Sequence, residues 1–187
     1  MELQTSRLVL KRLDASTAPE VLAYFERNRE FFQPWSPTVP PDFYTLEFHR
    51  RKLQKELERW AEGQTLRLWL FKKEALSNTL IGDLVLTNIT RGAFQSCHLG
   101  YKLDRQWINQ GLMTEALSTV LPFAFQSLKL HRVEANIMPR NQRSIRVVEK
   151  LGFVNEGLSR QYLKINGVWE DHWHYVMLNP VAPAELL

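Results

Sequence analysis

Only one cysteine, Cys97, stands among the 187 residues, so no internal disulfide can form, and a reducing compartment such as the cytoplasm is the expected setting. Long apolar runs are missing as well. Every apolar stretch is broken by charge well short of the roughly 20 residues that a membrane-crossing helix needs. Met1 to Leu13 alternates apolar and charged side chains and lacks the continuous apolar core of a secretory signal. Charge of one sign is scarce: 24 Lys and Arg against 20 Asp and Glu leave a net charge of +4, with no basic block. That is far from the block-like basicity of a dedicated nucleic-acid binder. It is compatible with an anionic partner such as a nucleotide cofactor, or with something bound to RNA. There is no Gly-Lys-Ser/Thr loop, so a magnesium-bound triphosphate is not implied. His172 and His174 have no third ligand in their pattern, which argues against a bound metal.

What is present alternates between two periodicities. Arg7 to Leu13 reads as a first strand and Asp14 to Arg29 as a helix with Pro19 in its first turn. Phe31 to Phe43 carries four prolines and several aromatics: too proline-rich for regular helix or central strand, too apolar for a mere linker. Leu46, Leu53, Leu57 and Trp60 form one helical stripe. From Leu66 the period becomes two, giving strands over Leu66 to Phe71, Leu80 to Leu86 and Ala93 to Leu103, with turns at Ser77–Asn78 and Arg91–Gly92. Gly111 to Leu128 is a helix interrupted by Pro122, where a kink or loosened turn is expected. His131 to Ile137 is a strand. Asn141 to Leu151 is a helix capped by Asn141 and closed by Gly152. Val154 to Leu163 and Val168 to Leu178 are final strands about an Asn166–Gly167 turn. The sum is one mixed α/β domain over residues 1–187, with helices on both faces of a central sheet.

Chemistry concentrates between Gly100 and Phe153. The strand ending Gly100-Tyr-Lys-Leu103 enters a short loop, Asp104 to Gln110, and Gly111 opens the long helix. The first-turn N–H groups of such a helix have no internal partners and sit at its positive end, while a glycine at the entrance lets a pyrophosphate approach the main chain. A second helix opens at Asn141-Gln-Arg-Ser144 and closes at Glu149-Lys-Leu-Gly-Phe153.

Together these segments resemble the GCN5-related N-acetyltransferase superfamily, and look most like its RimJ/RimL branch, the RimJ-type ribosomal-protein-alanine N-acetyltransferases. Tyr24 to Pro37, Asn88 to Tyr101, Gly111 to Leu117, Met138 to Ser144 and Asn166 to His172 all read like that branch, so the likeness covers most of the chain. It implies a mostly antiparallel seven-stranded sheet that splays at the cofactor site, and acetyl-CoA as acetyl donor. The implied cofactor contacts are Tyr101 and Leu103 on the splayed edge, Ile108, Asn109, Gln110, Gly111, Leu112, Met113 and Thr114 in the phosphate loop, and Asn141. Ile108 and Met113 depart from the superfamily pattern, which has Gln or Arg and a small residue there. Because the phosphate contact is made by main chain, the loop keeps its function.

The superfamily's usual tyrosine acid is replaced by Val148, and the resemblance moves that role to Ser144, at the start of a helix whose positive end favours a thiolate. His98 is the candidate general base, on the strand leading to the loop, where many relatives carry glutamate; its unperturbed pKa suits the task. Asp171 with His172, and Glu134, are further candidates. Arg140, Arg143, Arg146 and Lys150 could face cofactor phosphates or an acidic partner. Cys97 alternates to the face opposite His98 and reads as a core residue. The implied acceptor is the N-terminal alanine of the fifth small-subunit ribosomal protein, free or on a ribosome precursor, which requires no direct nucleic-acid contact and no membrane. Acetylation of a small amine, and a non-catalytic ribosome-assembly or RNA-binding role, are the competing readings.

Overall fold

The computed structural model describes residues 1–73 and 79–180. The strands are β1 (Glu2–Gln4), β2 (Leu8–Lys11), β3 (Leu66–Lys72), β4 (Thr79–Thr90), β5 (Ser96–Leu103), β6 (Arg132–Ile137), β7 (Val154–Ile165) and β8 (Val168–Leu178). The helices are α1 (Ala18–Arg27), α2 (Arg29–Phe32), α3 (Leu46–Ala61), α4 (Leu112–Gln126) and α5 (Gln142–Lys150). The strands form one sheet in the order β1-β2-β3-β4-β5-β6-β8-β7. Every neighbouring pair is antiparallel except β5 and β6.

Period-two alternation sorts the apolar side chains into two cores. Leu8 and Leu10 of β2, Leu66, Leu68 and Leu70 of β3, and Cys97 and Leu99 of β5 pack with Ala116, Leu117 and Val120 of α4 and Ile145 and Val148 of α5. The intervening Val9, Trp69 and Phe71 pack on the other face with Tyr24 and Phe25 of α1, Phe32 of α2 and Leu53 of α3. Helices therefore cover both faces, as the sequence implies.

The sheet has eight strands where seven were expected. The additional one, β1, pairs Glu2 with Lys11 and Gln4 with Val9. It is short and mostly exposed, so it leaves little apolar periodicity to read. The expected first helix breaks at Asn28 into α1 and α2, and the proline-rich segment begins helically: α2 is followed by a 3-10 turn over Gln33–Trp35, with Pro34 in the first-turn position that tolerates it. The Pro122 helix runs without interruption from Leu112 to Gln126. The Asn166–Gly167 turn has φ of 45° and 86°, the left-handed pair that a tight hairpin requires. The expected turn at Ser77–Asn78 lies outside the described residues.

One feature of the sheet positions the site. β5 and β6 are parallel neighbours only at Ser96↔Arg132, Cys97↔Val133 and His98↔Glu134. Beyond His98, β5 continues to Leu103 and β6 to Ile137 without pairing, so a wedge opens between them and leaves the strand edge at Tyr101–Leu103 unpaired on that side.

Candidate active site

A cavity of about 530 Å³ occupies the wedge. Its walls are Tyr101, Lys102 and Leu103 from β5, the loop residues Ile108, Asn109 and Gly111, Leu112, Met113 and Thr114 at the start of α4, and Asn141 to Ser144 at the start of α5, with Arg140, Arg146, Val147 and Lys150 beside them. Phe31, Phe32 and Trp35 close it from the proline-aromatic segment. Of the twelve site residues expected from sequence, ten line this one cavity; Gln110 and His98 do not.

The loop's shape follows from two left-handed residues, Asn109 at φ 61° and Gly111 at φ 74°. Asparagine and glycine are the residue types that adopt this conformation readily. Glu115 N–H donates to the Gly111 carbonyl at 3.0 Å as the first bond of α4. The preceding first-turn N–H groups thus have no helical acceptor and lie at the positive end of the helix, facing the cavity's residues. Gln110 turns its carbonyl away, to accept from Arg7 Nη1 at 3.0 Å. The same guanidinium pairs with Glu115 at 2.6 Å. Against the upward push of burial, hydrogen bonds from Thr5, from the Arg7 main chain and guanidinium and from Ser6 hold the Glu115 carboxyl at about 2. The carboxylate therefore stays ionised, and its charge in the first turn is offset by the paired Arg7 guanidinium.

Asn141 caps α5, its Oδ1 accepting from Ser144 N–H at 3.3 Å. The Tyr101 hydroxyl donates to the Ser144 carbonyl at 3.0 Å, tying β5 to α5 across the wedge. Burial pushes the Tyr101 phenol well above its usual range, so it stays protonated. Val148, one turn after Ser144, is fully buried in the core beneath α5 and offers the cavity no hydroxyl.

His98 alternates to the sheet face opposite Cys97 and Leu99, at the last paired position before the wedge. Its Nδ1 is 3.2 Å from Asn88 Nδ2 and its Nε2 is 3.8 Å from Glu134 Oε1. Glu134 also meets His174 Nδ1 at 2.9 Å and Arg132 at 3.0 Å, and His174 Nε2 lies 2.7 Å from Ser159 Oγ. Of the other candidates, Asp171 accepts from Gln161 N–H at 2.8 Å, and His172 is buried with its Nδ1 2.9 Å from the Glu170 carbonyl.

Sequence reasoning missed Lys102, which lines the cavity and lies 2.9 Å from Ser36 Oγ. No local motif marks it, because its surroundings come from distant segments. Arg140, expected to face cofactor phosphates or an acidic partner, is engaged within the chain instead. That side chain pairs with Glu170 at 2.7 Å, donates to the Pro34 carbonyl at 3.2 Å and lies 5.0 Å over Trp35. Arg140 thus fastens the proline-aromatic segment to the sheet.

A splayed sheet, a glycine-led helix start and a cavity between them define an acyl-CoA-dependent transferase fold. Residues 7–154 match the acetyltransferase (GNAT) domain family, and the chain belongs to it. It is 41% identical over 178 residues to a Bacillus subtilis protein named "Probable N-acetyltransferase YjcK", covering 95% of this chain and 97% of that one. Among solved structures it is similar to the ribosomal-protein-S5-alanine acetyltransferase of Vibrio fischeri, with 32% identity, a TM-score of 0.90 and coverage of 96% and 97% of the two chains. It is also similar to Mycobacterium smegmatis RimJ in complex with CoA-disulfide, with 25% identity, a TM-score of 0.86 and coverage of 94% and 84%. The chain is an acyltransferase, and acetyl-CoA is the donor that this family uses. No helix among the described residues is long and apolar enough to cross a membrane.

Proposed function

We propose that this chain, as one N-acetyltransferase domain over residues 1–187, transfers the acetyl group of acetyl-CoA to the N-terminal alanine of a ribosomal protein, the fifth of the small subunit, in the cytoplasm. The carrying observation is the convergence in one cavity of the α4 start, the unpaired β5 edge and the α5 start, closed by an aromatic segment. The V. fischeri relative's named acceptor favours the ribosomal protein.

In this reading the main-chain N–H groups from Asn109 to Thr114 receive the pyrophosphate at the positive end of α4, and Gly111 gives them access. Ile108 and Gln110 serve by main-chain conformation: Gln110 by turning its carbonyl out to Arg7, Ile108 as the apolar wall before it. Tyr101 and Leu103 offer the strand edge to the amides of the pantetheine arm, as an added strand would be held. Asn141, at the cavity, fixes the first turn of α5 by capping Ser144 N–H. Acetyl-CoA supplies a thioester acyl group and a thiolate leaving group. Ser144 donates its proton toward that sulfur, with the α5 dipole favouring the negative charge. His98, beside Glu134 and outside the cavity lining, receives the proton that the amine sheds through a chain of water. An α-amine has a pKa near 8, so a base of moderate strength is enough.

The test is mass spectrometry of the purified ribosomal protein after incubation with enzyme and acetyl-CoA, run beside thiol release with an alanine-ended peptide and with spermidine. One acetyl on the protein's N-terminus and a preference for the peptide are expected. A preference for spermidine overturns the protein acceptor in favour of a small amine.

A further inference from the structure

Beneath the aromatic segment, on the sheet face away from α4 and α5, lies a half-buried group of charges whose signs do not cancel. Lys52 pairs with Glu56 at 2.6 Å, and Arg67 lies 2.8 Å from the same carboxylate. Arg67 also pairs with Asp83, which accepts from the Tyr24 hydroxyl at 3.3 Å. Burial and the nearby Asp83 carboxylate push the Tyr24 phenol well above its usual range, so it carries no charge. Lys102 faces Asp83 across the β4–β5 ladder, yet that carboxylate is taken by Arg67. Three cations (Lys52, Arg67, Lys102) thus share two carboxylates (Glu56, Asp83), and the surplus charge is on Lys102.

Among the described residues, Lys102 has no carboxylate within ion-pair distance. Its Nζ has Ser36 Oγ at 2.9 Å and the rings of Phe32 and Phe25 at 5.4 and 5.9 Å. This half-buried cation lines the cavity with one neutral hydroxyl and two aromatic faces beside it, so an incoming anion would supply the charged partner it lacks. Burial lowers its proton affinity below the usual lysine range; Arg67 and Lys52 add to this and Asp83 opposes it. The neighbouring Arg140 is already matched by Glu170.

We propose that Lys102 is an anion-recognition point of the acceptor site, receiving a carboxylate that the acceptor carries within a few residues of its reactive amine. The occupant is assigned to the acceptor and not to the cofactor because of the strand's own alternation. Tyr101 and Leu103 pack toward the α4–α5 core, where the phosphate loop lies, whereas Lys102 packs against the rings of the opposite core. This inference rests on the acceptor reading above and adds a charge requirement to it.

The experiment uses alanine-ended pentapeptides, neutral apart from one Glu placed at the second, third or fourth position, each paired with its Gln counterpart. Acceptor KM is measured for the intact chain, Lys102→Met and Lys102→Arg. Calorimetry with the acetylated peptides adds a binding readout that needs no turnover. We expect one Glu position to lower KM and product Kd by about tenfold. The preference should vanish in Lys102→Met and persist in Lys102→Arg, with acetyl-CoA affinity unchanged. The proposal is overturned if no Glu peptide is preferred, or if the preference survives in Lys102→Met. It is equally overturned if acetyl-CoA affinity falls in Lys102→Met, which would assign the lysine to the cofactor's phosphates. Absence of turnover together with Lys102-dependent Glu preference in binding would overturn the acetyltransfer assignment and leave the anion site standing.

Discussion

The open edge of β5 and the face that carries His98 and Lys102 are built by different means. Toward the wedge beside β6 the strand contributes a main-chain edge, and the segments that complete that half are the starts of α4 and α5. Toward α1, α2 and α3 it contributes side chains, His98 and Lys102, whose partners come from across the chain: Asn88, Glu134 and Ser36, with the Lys52–Glu56–Arg67–Asp83 charges behind them. The first half is built from backbone conformation and helix ends, which few residue types can supply. The second is built from charge arithmetic over many elements, which many sequences can satisfy.

That difference can be sharpened by substitutions on each side. The largest effect is expected for Ser144→Ala: turnover falls about a hundredfold, the scale of a lost general acid, while acetyl-CoA affinity stays within about twofold. Single-turnover kinetics beside calorimetry separate the two, and unchanged turnover removes Ser144 from the chemistry.

Next is an acid-sensitive weakness on the aromatic face. His49 of α3 is fully buried and stacked on Phe25 at 5.3 Å, and its pKa is lowered from the usual 6.5 to about 4, first by burial and then by Lys52. The unfolded chain protonates this ring near pH 6.5 and the folded chain does not, so the contribution is complete above pH 6.5 and is lost as pH falls toward 4. A loss of about 2–3 kcal/mol across that window is expected from urea titrations. His49→Phe should flatten it; an identical slope in the variant would place the acid sensitivity elsewhere.

A tenfold effect is expected at the loop. A Cβ on Gly111 would meet only Arg7 Nη2, at an ordinary 3.7 Å, so space is not the constraint. The constraint is φ of 74°, which costs a β-branched residue about 1–2 kcal/mol. Gly111→Val should therefore weaken acetyl-CoA about tenfold, and Gly111→Asn much less; equal losses would point to steric exclusion. Smallest is Arg7→Met. It removes a partly exposed ion pair and the hold on the Gln110 carbonyl, and should weaken acetyl-CoA about threefold with acceptor KM untouched.

The same contrast explains what could be read before the structure. The helix starts at Gly111 and Asn141 were legible because each needs a particular residue: glycine for a left-handed entry, asparagine for a side-chain cap. The strands β3 to β6 and β8 were legible from alternation, since each buries at least part of a face. The mostly exposed β7 was placed by the Asn166–Gly167 turn that follows it. β1 was not legible, being a three-residue exposed edge strand. The helical start of the proline-aromatic segment was hidden because α2 is a single turn held by packing and not by propensity. Lys102 was invisible because its role depends on Glu56 and Asp83 already being claimed by Lys52 and Arg67. For His98, alternation marks the strand and the face, but not its position at the last rung before the wedge, which depends on where β6 parts from β5.

The proposed arrangement puts the cofactor along the unpaired β5 edge, between the starts of α4 and α5, and the acceptor on the Lys102 side of the strand. Backbone amide shifts on titration with acetyl-CoA test it most directly. Saturable shifts at micromolar cofactor are expected, concentrated at Asn109 to Thr114 and at Asn141 to Ser144, with Ser36 and His49 little moved. Shifts centred on Ser36 and His49, with the loop and the α5 start unmoved, would contradict it.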